Sequence, residues 1–329
     1  MATAPVPAPG DPASPATAGE LGAARSWLFV PGDRPERFAK AAASGADVVI
    51  CDLEDSVAPA AKDAARAAVA AWLRAGGSAA VRVNPAGSPW HDADIAALRA
   101  ASADIAASAG PGAWGPRTGG LRAGGLRAVM LPKAQDPAAV SDVAAAIGAV
   151  PIVALVETAL GILRAADIAA LPPVARLAFG SLDYALDIGA DADHEPAMLL
   201  ARASLVMCSR AVGGPAPLDG GTVALDDEAR LLADAAAARA LGFTGKLCVH
   251  PRQIPAVHRG FAPAPEQLAR AREILAVARA TPLGAARTAD GMLIDAPVVA
   301  RAAAILAAAA DPESPGASHQ PDTIEIAGD

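Results

Sequence analysis

The sequence predicts an α/β fold, a (β/α)8 TIM barrel with a C-terminal helical lid extension, on three observations. Short apolar runs bounded by Gly, Pro or Asp recur eight times, Ala-rich helical stretches separate them, and polar residues gather where the runs end. Continuous apolar runs without alternation suit strands buried on both faces of a parallel sheet, and their regular exchange with helices is the pattern of a barrel.

The runs are, in order, 26–31 (SWLFVP), 47–53 (DVVICDL), 79–84 (AAVRVN), 128–132 (AVMLP), 151–157 (PIVALVE), 176–180 (RLAFG), 215–219 (PAPLD) and 246–250 (KLCVH), the seventh being the weakest. Stretches such as 34–44, 58–75 and 226–241 read as helices. A doubly wound open sheet is the alternative architecture, but no GxGxxG follows the first run, which argues against a dinucleotide fold. Residues 1–24, rich in Pro, Ala and Gly, read as a disordered leader; 25–262 as the catalytic barrel; 263–310 as a helical lid segment; and 311–329 as a disordered polar tail. Within the lid segment a helix over 265–280 precedes a Gly-containing loop, 281–291, and a second apolar stretch, 292–310. The Gly-rich stretch 108–125 interrupts the rhythm as a surface insertion.

Composition narrows the class. Hydrophobic residues make up 53% and charged residues 19%, which supports a sizeable core and excludes global disorder; with aromatics at 3%, that core is aliphatic. The formal charge of −8 and the absence of a basic run argue against a nucleic-acid binder, so an anionic substrate needs local positive charge from particular arginines or a metal. Cys51, Cys208 and Cys248 show no CxxC spacing, which fits buried thiols in a reducing cytoplasm better than a disulfide framework or a zinc site. No apolar run reaches the ~18 residues of a membrane span, and the opening residues lack the charged and apolar regions of a signal peptide.

In a barrel the chemistry sits where strands end. Glu157 follows PIVALV and Asp183 follows LAFGSL. Two carboxylates on neighbouring strands repel unless a cation lies between them, and oxygen ligands with open positions suit Mg2+; pairing with Arg or Lys, or helix capping, is the alternative. Asp52, Glu54 and Asp55 form a carboxylate patch in which only alternate residues can face the axis, so support of metal-bound waters is open to one or two of them, with helix capping as the other reading. Arg82, inside AAVRVN, needs an anionic partner: Asp52, Glu54, or a substrate carboxylate or enolate. Lys133, after AVMLP, has the same two readings, and a lone His250 at a strand end reads as structural.

LFVPGDRPERFAKA, DVVICDLEDSV, VRVNP, VMLPKA, IVALVETALGI, LAFGSLD, GKLCVHPRQI and MLIDAPVV occur in that order between residues 25 and 306. In these motifs the chain resembles the citrate lyase β-subunit-like family of CoA ester lyases, within the HpcH/HpaI aldolase superfamily, which includes malyl-CoA and citramalyl-CoA lyases. The resemblance implies that Glu157 and Asp183 ligate Mg2+ (or Mn2+) and that Arg82 faces the thioester carbonyl. It implies that Phe29, Arg34 and Lys40 contact CoA, and that Asp295 is a catalytic aspartate on the lid. It further implies a homotrimer or dimer of trimers whose lids close over a neighbour's site, with a CoA thioester and a 2-oxo acid as partners. Met292, where the family often has a basic residue, is a departure that bears on lid contacts to CoA. A malyl-CoA thioesterase on the same scaffold and a CoA-independent, metal-dependent 2-oxo acid aldolase are the alternatives. A CoA-binding subunit without turnover is disfavoured, because Glu157, Asp183, Arg82 and Asp295 are all present.

Overall fold

The computed structural model describes residues 15–108, 125–281, 286–288 and 290–309. They divide into two units, Met1–Phe261 and Ala262–Asp329. In the first unit, eight parallel strands close into a barrel in the order β1-β2-β3-β4-β5-β6-β7-β8. Helix α1 (Pro15–Ala23) leads into β1 (Ser26–Pro31), followed by α2 (Phe38–Ala42), β2 (Val48–Asp52), α3 (Lys62–Arg74), β3 (Ser78–Arg82) and α4 (His91–Ser108). The chain continues through β4 (Gly125–Leu131), α5 (Pro137–Ile147), β5 (Ile152–Val156), the short helices α6 (Ala159–Leu163) and α7 (Ala165–Ala169), and β6 (Val174–Phe179). Helices α8 (Ser181–Ile188) and α9 (Glu195–Ala211), β7 (Leu218–Asp219), α10 (Glu228–Leu241), β8 (Gly245–Cys248) and α11 (Ile254–Phe261) complete the unit.

Alternate side chains along each strand build two aliphatic layers. Trp27, Ile50, Ala80, Met130, Val153, Leu155 and Leu247 fill the barrel, while Leu28, Cys51, Val81, Leu131, Val156 and Phe179 pack against the surrounding helices. Cys51 and Cys248 are buried free thiols, each pushed up to about 12 by burial, and Cys208 is half-buried.

Three expectations are corrected. Residues 15–23 are not part of a disordered leader: they form α1, whose end is anchored where Leu21 and Ala24 bury against the barrel's apolar interior. The fully buried guanidinium of Arg176 donates to the carbonyls of Leu21 and Ala24 at 2.7 Å and of Ala216 at 2.8 Å, so the end of α1 caps the N-terminal floor of the barrel. The seventh strand shrinks to Leu218–Asp219, since Pro215 and Pro217 cannot donate to a ladder. Lastly, the expected loop over 281–291 contributes to a two-stranded antiparallel sheet of β9 (Ala286–Arg287) with β10 (Leu293–Ile294).

The second unit holds helix α12 (Pro265–Ala280), that two-stranded sheet and helix α13 (Ala296–Ala307). Its own small core is Ala271, Ile274, Ile294 and Ala302, and Arg270 ties α12 to the β9–β10 turn through Asp290 at 2.7 Å. Most of the Gly-rich insertion, the first fourteen residues and the C-terminal tail lie outside the described residues.

Candidate active site

Parallel pairing sets the strand ends level, so residues far apart in sequence meet at one mouth. Asp52, the last residue of β2, is the register partner of Arg82, the last residue of β3. The guanidinium grips this carboxylate with two hydrogen bonds, Nε to Oδ1 and Nη2 to Oδ2, both 2.7 Å. Asp52 also accepts the backbone N–H groups of Glu54 (2.9 Å) and Ser56 (3.1 Å), which fixes the turn after β2. Burial disfavours its charge, but Arg82 and these hydrogen bonds outweigh burial and hold the carboxyl below the usual range. Nη1 of Arg82 stands 2.9 Å from Glu54 Oε2 and 3.6 Å from Asp55 Oδ2, and its other face lies 4.8 Å from the ring centre of Phe29 on β1.

A second cluster forms across the ends of β4, β5 and β6. Glu157, directly after β5, is 1% exposed and accepts the backbone N–H of Lys133 at 2.8 Å. Burial pushes its carboxyl up to about 8, reinforced by the negative charges of Glu54 and Asp183. Asp183 lies in the first turn of α8, a helix that Gly189 closes in the left-handed region (φ 68°). The Lys133 ammonium reaches 3.3 Å from Glu54 Oε1 and 3.9 Å from Asp183 Oδ1, and so joins this cluster to the Arg82 cluster.

The structure thus brings Arg82, Asp52, Glu54, Glu157, Asp183 and Phe29 to one end of the barrel. Arg82 has Asp52 and Glu54 as its anionic partners, both of which the sequence offered. Asp55 departs from the group: it is exposed and touches only the edge of Arg82. Arg34, in the loop after β1, and Lys40, on α2, are exposed. Asp295 is the N-cap of α13, where its Oδ1 accepts the N–H of Val298 at 3.0 Å. His250 is structural, with Nδ1 accepting the N–H of Arg252.

Lys62 is a site residue that sequence reasoning missed. Its buried ammonium donates to the carbonyls of Leu53 and Glu54 (2.8 Å each) and to Asn84 Oδ1 (2.7 Å), pinning the turn that carries Glu54 to the end of β3. Its signal was present: Lys62 opens α3 on the same face as the buried Ala65, Val69 and Leu73. A lysine in line with an apolar stripe needs acceptors inside the protein.

Among the described residues, no three His, Cys, Asp or Glu side chains surround one point as a metal cage. Glu157 and Asp183 nonetheless fit a hard dication, because Mg2+ is commonly bound by one or two carboxylates with waters and substrate oxygens filling its shell. The electrostatics support the fit: burial and the negative charges of Glu54 and Asp183 together push the Glu157 carboxyl up, a crowding of carboxylates that a dication would relieve.

The HpcH/HpaI aldolase/citrate lyase family matches residues 25–106 and 117–251. A citrate lyase subunit beta-like protein of Mycobacterium tuberculosis is 35% identical over 294 residues, 88% of this chain and 96% of the relative. A (3S)-malyl-CoA thioesterase of Cereibacter sphaeroides is 32% identical over 258 residues, 77% of this chain and 82% of the relative. The crystal structure of Mycobacterium tuberculosis CitE in complex with magnesium, acetoacetate and coenzyme A superposes with a TM-score of 0.73 at 35% identity, covering 88% of this chain and all of that one.

Proposed function

The chain belongs to the HpcH/HpaI aldolase/citrate lyase family, and on that premise we propose that it is a Mg2+-dependent lyase of CoA thioesters. The reaction is the reversible Claisen-type cleavage of a 3-hydroxyacyl-CoA bearing a carboxylate on C3, of the malyl-, citramalyl- or citryl-CoA kind, to an acyl-CoA and a 2-oxo acid. The observation that carries this reading is the pair Glu157 and Asp183 at the barrel mouth, where neighbouring carboxylates help to push Glu157 up and a fixed guanidinium stands beside them. That mixture suits a substrate with an anionic head, a metal-chelating oxo acid and a polarised thioester.

In this reading Glu157 and Asp183 hold the metal, which supplies Lewis-acid polarisation of the oxo acid's carbonyl. Glu54, paired with Lys133, supports the metal's surroundings, and Asp52 holds Arg82 in one orientation. Arg82 stabilises the negative charge that develops on the thioester oxygen. Asp295, supplied by a lid, takes the proton from the α-carbon of the acyl thioester in the condensation direction and returns it on cleavage. Phe29, Arg34 and Lys40 line the approach of CoA, and the two exposed cations suit its phosphates. The assembly is a homotrimer or a dimer of trimers with lids shared between neighbours, and the free thiols suit the reducing cytoplasm.

Product analysis tests the reading. Purified protein incubated with malyl-, citramalyl- and citryl-CoA should release a 2-oxo acid, trapped as its phenylhydrazone, with one equivalent of acyl-CoA and no free thiol. Free CoA thiol without oxo acid would make the enzyme a thioesterase, the activity named for the Cereibacter sphaeroides relative. Turnover of free hydroxy-oxo acids without CoA would make it an aldolase.

A further inference from the structure

Beyond its pairing with Glu54, Lys133 has a strained backbone and a side chain that lies among the carboxylates. Among the described residues it is the only non-glycine with positive φ, at 49°. A non-glycine residue stays in the left-handed region only when its surroundings impose it. Here the strained turn lets one residue reach three carboxylates. Its N–H fixes Glu157 Oε1 at 2.8 Å, and its ammonium reaches Glu54 Oε1 at 3.3 Å and Asp183 Oδ1 at 3.9 Å.

The other cations of the mouth are immobilised. Arg82 is held by two bonds to Asp52, and Lys62 donates to Leu53, Glu54 and Asn84 inside the protein. Lys133 is different: its side chain is 39% exposed, its ion-pair contacts are long, and a flexible stem lets the head swing into solvent. An ammonium and a dication that share a carboxylate repel each other strongly at a few ångströms.

We propose that Lys133 is an exchangeable counter-ion of the metal site, neutralising Glu54 and Asp183 in the metal-free protein and leaving Asp183 when a divalent cation binds. The inference rests on the reading of Glu157 and Asp183 as metal ligands. Its consequence is a deliberately weak affinity for free Mg2+, so that stable loading waits for the oxygens of the oxo acid.

Calorimetric titration of Mg2+ into the full-length chain, with no thioester present, tests this. Wild type is compared with Lys133→Met, Lys133→Arg and Asp183→Asn, and Lys133→Gln replaces the methionine variant if that fails to fold. Removing the ammonium should tighten Mg2+ binding by about tenfold or more, whereas Lys133→Arg keeps the charge and should stay near wild type. The thermal midpoint of metal-free Lys133→Met should fall, and its rise on adding Mg2+ should exceed that of wild type. Unchanged or weaker Mg2+ binding in Lys133→Met, with binding lost in Asp183→Asn, would overturn the counter-ion role alone. Undiminished binding in Asp183→Asn would overturn the metal site itself, and the role of Lys133 with it.

Discussion

A Cβ added to Gly180 would stand 2.3 Å from Oε2 of Glu157 and 2.5 Å from its Cβ. Gly180 has an ordinary negative φ of −94°, so the glycine answers a steric demand and not a conformational one. Gly180→Ala should therefore displace the whole Glu157 side chain, at a stability cost of about 1–3 kcal/mol. We expect Mg2+ affinity to fall by about tenfold or more, since small displacements of a metal-binding group weaken binding steeply. Calorimetry alongside circular dichroism checks this, and wild-type affinity in a folded Gly180→Ala protein would contradict it.

Arg82→Lys keeps the charge but loses the planar fork that grips Asp52. Steady-state kinetics should show kcat reduced by about a hundredfold or more, the scale of losing one donor to a developing oxyanion. Mg2+ affinity should change little, because the proposed metal ligands are Glu157 and Asp183. An unchanged kcat would leave Arg82 as an ion-pair partner of Asp52 and nothing more.

The Glu157 carboxyl, pushed up from an ordinary 4.5 to about 8 by burial and by Glu54 and Asp183, sets a pH dependence. Between those two values the folded, metal-free protein holds a proton that the unfolded chain has lost. Metal-free stability should therefore fall as pH rises through that window. Mg2+ requires the carboxylate, so it must displace the proton. Apparent Mg2+ affinity should rise by up to about tenfold per pH unit between pH 6 and 8, then level off. Titrations at pH 6, 7 and 8 check this, and a flat profile would contradict it.

The barrel was legible because its strands are buried on both sides, and a buried strand writes itself as an apolar run. β7 was hardest to see because prolines trim it to Leu218–Asp219. Glu157, Asp183 and Arg82 were legible as charges closing or interrupting such runs. What those charges touch was not: that Asp52 takes the Nε–Nη2 edge of Arg82, while Asp55 turns to solvent, depends on strand register and the turn after β2. Lys62 was hidden on a helix one strand away, and the strain at Lys133 arises from tertiary contacts that no local pattern encodes. Helix α1 was lost in a Pro- and Ala-rich stretch, since only its fit to the barrel floor stabilises it.

Asp295 gives a test of both chemistry and assembly. Its side chain caps α13, a role that asparagine also fills, so Asp295→Asn should fold and bind Mg2+ while losing nearly all activity. If lids cross between subunits, mixing Asp295→Asn with Arg82→Ala and allowing exchange should restore part of the activity, through sites with one intact residue from each chain. No rescue after verified exchange would place the lid over its own barrel, and full activity in Asp295→Asn alone would remove it as the base.

If Glu157 and Asp183 serve a metal used in carbon–carbon cleavage, release of oxo acid depends on both the metal and those carboxylates. The most direct measurement follows release of 2-oxo acid from the preferred thioester by wild type and Asp183→Asn, each with EDTA and then with excess Mg2+. EDTA should abolish oxo acid release by wild type, Mg2+ should restore it, and Asp183→Asn should stay inactive in both conditions. Sustained oxo acid release in EDTA, or wild-type rates from Asp183→Asn, would contradict it.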